Sequence, residues 1–203
     1  MKLKLDGLEI DPGTFGAETL SGLIQTVERS LAPARVIISM NLDGRPLGQQ
    51  EEHARAAEGL DTLESLDINT QRVDELVRNT LETLTDYLPR LIEQQDDCVI
   101  LLQGEDEKQG HTALGRLIDG LLMVSTAWKG IAQTIKIPDY RPEELIPDIQ
   151  GFNSILHSIA EAQEADDIVR LCDLLQFELG PTLETWLEKA GEIRDLEASH
   201  NVS

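Results

Sequence analysis

Near residue 70 the spacing of apolar residues changes, and the change divides the chain. Upstream, short leucine-rich and β-branched runs alternate with polar residues and are punctuated by Asp6-Gly7 and Asp43-Gly44. Downstream, apolar residues recur every three or four positions almost to the end. A period of two puts successive side chains on opposite faces of a strand, whereas 3.6 gathers them on one face of a helix. The expected fold is therefore α+β and mostly α overall: a small α+β head over residues 1–69, then a helical bundle over 70–203.

In the head, Leu3 to Ile10 alternates around Asp6-Gly7, a hairpin signal because a tight two-residue turn needs positive φ at both central positions. Asp11-Pro12-Gly13-Thr14 stops the strand and offers Thr14 as the N-cap of a helix from Phe15 to Leu31. That helix has its stripe at Ala17, Leu20, Leu23, Ile24, Val27 and Leu31, and Pro33 ends it. Strands follow at Arg35–Leu42 and Arg45–Leu47, then a polar loop from Gln49 to Glu58. A last strand is expected at Thr62–Ile68, with Leu63 on one face and Leu66 and Ile68 on the other. Strand, strand, helix, strand, strand (ββαββ) is the order of a β-grasp, ubiquitin-like head.

Asn69 or Thr70 is placed to cap the next helix, whose stripe runs Val73, Leu76, Val77, Leu81, Leu84, Leu88, Leu91 and Ile92. Pro89 removes one donor from it and is expected to kink or interrupt it. Residues 98–102 read as helix or buried strand, with length favouring helix. Gly104 to Gly110 reads as a turn, and a second helix carries Leu114, Leu117, Ile118, Leu121, Leu122, Trp128, Ile131 and Ile135. Pro138, Pro142 and Pro147 punctuate the next connection, with Pro142 placed for a first helical turn. A third helix carries Leu145, Ile149, Phe152, Ile155, Leu156 and Ile159. Asp166 or Asp167 caps the last, with a stripe at Ile168, Leu171, Cys172, Leu175, Leu179, Leu183, Trp186 and Ile193. Val169, Leu174 and Phe177 give it a second apolar flank. Four helices joined by short connections imply an antiparallel four-helix bundle.

Charge narrows the partners. The 203 residues include 17 Lys and Arg against 38 Asp and Glu, a formal net charge of -21. Such a field repels nucleic acid and anionic lipid and favours basic protein surfaces. The aromatics, Phe15, Tyr87, Trp128, Tyr140, Phe152, Phe177 and Trp186, are too few to build a base-stacking platform. Cys98 and Cys172 each sit among apolar neighbours, as buried free thiols do. The N-terminus meets Asp6 before any apolar run, and no stretch is long and apolar enough to span a bilayer, so a cytoplasmic protein is expected.

Site chemistry is sparse. Paired Glu-x-x-His motifs would mark a two-metal bundle site, and Glu197-Ala198-Ser199-His200 is a single match in the tail. A phosphotransfer helix has histidine three positions before a Lys-Gly pair; before Lys129-Gly130 that position holds Thr126, which excludes phosphohistidine chemistry. The acidic pairs Glu51-Glu52, Asp96-Asp97, Glu143-Glu144 and Asp166-Asp167 fit helix starts and solubility. Glycine-rich phosphate loops and nucleophile elbows do not occur. No catalytic, cofactor-binding or metal-ligating residue is assigned.

The expectation is thus a non-catalytic protein acting through protein–protein association, as an adaptor, a regulatory subunit or a holder of a basic partner, or through homo-oligomerisation. The candidate contact residues are Phe177, Leu174 and Trp186 on the last helix and Val36 and Ile38 on a sheet edge. The alternative is an enzyme or small-molecule binder that uses a crevice between head and bundle, lined by carboxylates and by Arg35, Arg45 or Arg72.

Overall fold

The structure, a computed structural model, describes residues 1–104, 107–135 and 141–200, most of them helical. They fall into two compact units, Met1–Leu76 and Val77–Ser203. Pro138, Tyr140 and the Glu105-Asp106 part of the expected turn lie outside the described residues.

A five-stranded mixed sheet organises the first unit. Strands β1 (Lys2–Leu5), β2 (Leu8–Ile10), β3 (Arg35–Leu42), β4 (Arg45–Pro46) and β5 (Ser65–Arg72) lie in the order β2-β1-β5-β3-β4. Strand β1 pairs antiparallel with β2 and parallel with β5, where Leu3 meets Leu66 and Leu5 meets Ile68. Both Asp-Gly turns have the left-handed backbone that the hairpins require: φ is 50° and 80° at Asp6-Gly7, and 51° and 79° at Asp43-Gly44. Helix α1 (Leu20–Leu31) buries Leu20, Leu23, Ile24 and Val27 in one core with Leu3, Leu42, Leu66 and Ile68.

Several boundaries differ from expectation for local reasons. Thr14 does not cap α1; Pro12–Phe15 form a short 3-10 turn capped by Asp11, whose side chain accepts from Gly13 N at 2.9 Å. Thr19 is the cap instead, accepting from Gly22 N at 3.2 Å. The polar stretch after β4 is not all loop, since Gln49–Arg55 form helix α2. This helix buries no residue and so leaves no apolar period; it has Glu51 and Glu52 in its first turn, and Arg55 near its end reaches Glu58 at 2.9 Å. The last strand begins and ends later than expected, because Leu60–Thr62 form a 3-10 turn and Leu63, like Leu66 and Ile68, enters the core. Asn69 and Thr70 therefore lie within β5, and helix α3 (Val73–Leu102) follows it directly.

The second unit is helical. Helix α3 runs on through Pro89 and includes residues 98–102. Helix α4 (Glu107–Thr134) follows within a few residues, so the expected turn is shorter than Gly104–Gly110. The expected third helix is divided into α5 (Pro142–Leu145) and α6 (Ile149–Glu164), with Asp148 accepting from Gly151 N to cap the latter. Asp167 caps α7 (Ile168–Asp173), which runs without a break into a wider i→i+5 segment, Leu174–Leu179, and then into α8 (Gly180–His200).

Aromatic and glycine contacts tie these helices into one core. Trp186 of α8 meets Trp128 of α4 edge-on at 6.2 Å and Phe152 of α6 at 4.5 Å between ring centroids. A Cβ at Gly120 of α4 would lie 2.7 Å from both Tyr87 Oη and Leu91 Cδ1 of α3. One at Gly180 would lie 3.0 Å from Oε1 of the buried Gln95.

Candidate partner-binding surface

The wider winding at Leu174–Leu179 decides what the last helix shows to solvent. Leu171, Leu175, Leu179 and Leu183 are spaced by four, and all are fully buried. On an ordinary helix of 3.6 residues per turn, that spacing drifts by about 40° a step, or roughly 120° over three steps. The slower winding of the i→i+5 segment turns the other way and offsets part of this drift, and all four stay in the core. Gly180 N–H donates to Leu175 O, five residues back, and Pro181, which has no N–H to give, follows at once.

At four-residue spacing the exposed Val169, Asp173 and Phe177 follow one another along the outer side of this helix, with Arg170, Leu174 and Glu178 one position further on. Between this helix and α6 lies a cleft of about 370 Å³ lined by Ser158, Arg170, Asp173, Leu174, Phe177 and Glu178. Its apolar floor is Leu174, 7% exposed, while Phe177 stands beside it at 71% and Val169 lies along the helix at 73%. Arg170 is turned to Glu161 of α6, with Nη2 to Oε2 at 3.3 Å, and His157 Nε2 lies 3.4 Å from the same carboxylate. Among the described residues Asp173 and Glu178 have no ion-pair partner.

Further clefts in this unit include one of about 520 Å³ at Glu144, Leu145, Glu192, Asp195 and Leu196 and one of about 350 Å³ near Lys108 and Arg116. Ile100, Leu122 and Met123 are exposed and do not line these clefts.

The structure therefore separates the residues grouped by sequence. Leu174 and Phe177 meet at one cleft. Trp186, 1% exposed, belongs to the aromatic core, and that placement takes it off the contact surface. Val36 and Ile38 lie in the other unit on β3, whose pairing with β4 is confined to Asn41 and Leu42. Val36 is half-buried opposite Gln71, and Ile38 sits at a bulge where the register slips between Ile37 and Ser39. A bulge of this kind interrupts the flat edge that another strand would extend.

The groups considered for chemistry are engaged elsewhere or isolated. Arg35 donates to Asp6 at 2.9 Å and to Thr70 Oγ1 at 2.8 Å, and Arg72 reaches Asp74 at 2.7 Å. Cys98 and Cys172 are free and buried; burial pushes the Cys98 thiol up to about 11 and raises that of Cys172. Such thiols are poor nucleophiles. Among the described residues no three His, Cys, Asp or Glu side chains converge to hold a metal ion, and no helix is long and apolar enough to cross a membrane. Ser125 Oγ and Trp128 Nε1 are buried without a hydrogen-bond partner.

These features describe an α+β protein whose helical unit carries an exposed aromatic beside a small acidic-rimmed cleft. Residues 79–189 match the family described as Domain of unknown function (DUF8042); the match spans more than half of the chain, and the protein belongs to that family. The matched stretch includes Leu174, Phe177 and Trp186 but not Val36 or Ile38. No curated protein and no solved structure matches the chain.

Proposed function

We propose that this is a non-catalytic cytoplasmic protein that acts by binding another protein, as an adaptor, a regulatory subunit or a holder of a basic partner. One observation carries the reading: Phe177, 71% exposed, stands at the rim of a cleft floored by the apolar Leu174. Leaving a phenylalanine in water forgoes about 1.5–3 kcal/mol that burial would return, a gain that a partner covering it recovers. The head is read as a β-grasp on the strand order β2-β1-β5-β3-β4 with α1 packed on the sheet. The second unit is read as an antiparallel four-helix bundle of α3, α4, α6 and the α7–α8 helix, supported by the shared Trp128, Phe152 and Trp186 cluster.

The test is capture from native lysate on the full chain, alongside sedimentation of the purified protein. The expected result is a defined partner retained at physiological salt. A chain that sediments as a monomer and retains nothing overturns the reading.

A further inference from the structure

The cleft at Phe177 also specifies the chemistry of what it binds. We infer that its occupant is a basic amphipathic helix of a partner protein, with a Lys or Arg set between two apolar residues on one face. This rests on the association reading above and goes further by naming the partner's pattern.

The argument starts from the series Val169, Asp173, Phe177. Its two apolar ends are both more than two-thirds exposed, and eight residues along a helix place them about 12 Å apart. Asp173 sits between them, and Glu178 lies four positions beyond Leu174. The one cation lining the cleft, Arg170, is already taken by Glu161. An apolar, acidic, apolar stripe over a shallow apolar floor is complementary to a helix that reads apolar, basic, apolar at intervals of four. The positive residue finds Asp173 and Glu178, while its neighbours cover Val169 and Phe177 and insert beside Leu174.

A second copy of this chain does not fit. Apposing the same stripe against itself about a two-fold axis brings Asp173 towards Asp173, within a molecule already at -21. An acidic or neutral segment would leave the two rim carboxylates uncompensated as water is excluded.

The experiment replaces Phe177 in the full chain with the photo-crosslinker p-benzoylphenylalanine, irradiates in native lysate and sequences the attached peptide. The expected peptide comes from another protein and carries Lys or Arg between apolar residues at four-residue spacing. Reversing the rim with Asp173→Lys in the same crosslinking chain should lower the yield about tenfold, with the thermal melting curve unchanged. A peptide from this chain, or a peptide with acidic or neutral character, overturns the inference; a non-self peptide of that kind leaves the association reading standing. No crosslink from position 177 while a partner is still retained overturns the inference alone, and no crosslink with no partner retained overturns both. An undiminished yield in the Asp173→Lys chain also overturns the assigned charge complementarity.

Discussion

Asp6 and Asp43 occupy equivalent places in two hairpin turns, and between them they fasten both ends of β5. Asp6 accepts from Thr70 N and Thr70 Oγ1, each at 2.7 Å, and from Arg35 at 2.9 Å. Asp43 accepts from Glu64 N and Ser65 N at 2.9 Å each, with Arg55 at 3.7 Å. Thr70 holds the Asp6 carboxyl below its ordinary value, the Ser65 N–H does the same for Asp43, and the Arg72 guanidinium brings Asp74 to about 2. A depressed folded value means that the ionised form binds the fold. The stability these groups supply is thus fully present above the unfolded value of 3.8 and drains away as pH falls through each folded value, which for Asp74 is about 2. Asp6→Asn keeps a residue tolerant of positive φ and removes the charge; it should cost about 1 kcal/mol at pH 7, after allowance for partial exposure, and flatten the acid limb in denaturant titrations across pH. The Asp-Gly turns themselves are legible in sequence. Their clamp on β5 is not, because Thr70 lies 64 positions from Asp6 and nothing local in either segment points to the other.

At the scale of elements, long stripes are easy to read and winding is not. Helices α1, α3, α4 and α6 follow from apolar spacing, whereas α2 buries nothing and leaves no such trace. The Leu171, Leu175, Leu179, Leu183 series did carry a signal, a strict spacing of four that is too long for an ordinary helix, with Gly180-Pro181 inside it. Reading that spacing as a plain stripe hides how the second flank divides: Leu174 and Phe177 share it in sequence, but in the fold Leu174 is buried and Phe177 exposed. Close approach between α3 and α4 is equally specific. A Cβ at Gly110 would stand 2.9 Å from Leu102 Cα and 3.0 Å from its backbone N, whereas one at Gly115 meets nothing within 4 Å. Gly110→Ala should destabilise by about 1–3 kcal/mol despite the better helix propensity of alanine. Gly115→Ala should stabilise by about 0.5–1 kcal/mol. Equilibrium unfolding of the two variants checks both signs, and a stabilised Gly110→Ala would show that α3 and α4 do not meet closely at this point.

For the molecule as a whole, charge sets the terms of encounter. With 38 acids against 17 bases, this 203-residue chain should give no mobility shift with double-stranded DNA at physiological salt. The proposed association with a basic partner should weaken as salt rises to roughly 0.5 M, where screening reaches about 4 Å. The division between a strand-bearing N-terminal part and a helical remainder is legible in the change of apolar spacing near residue 70. The proposed contact surface is only half legible: apolar spacing puts Trp186 on the stripe and Phe177 on a flank, but only the fold shows that Phe177 is exposed beside a buried Leu174. The measurement that bears most directly on this is made on Phe177→Ser in the full chain, with unfolding and partner capture recorded on the same preparation. The account expects stability within about 0.5 kcal/mol of the parent, as for a surface position, together with loss of the partner. A loss of about 3 kcal/mol or more, as for an aromatic removed from a core, or undiminished capture with the fold intact, would contradict it.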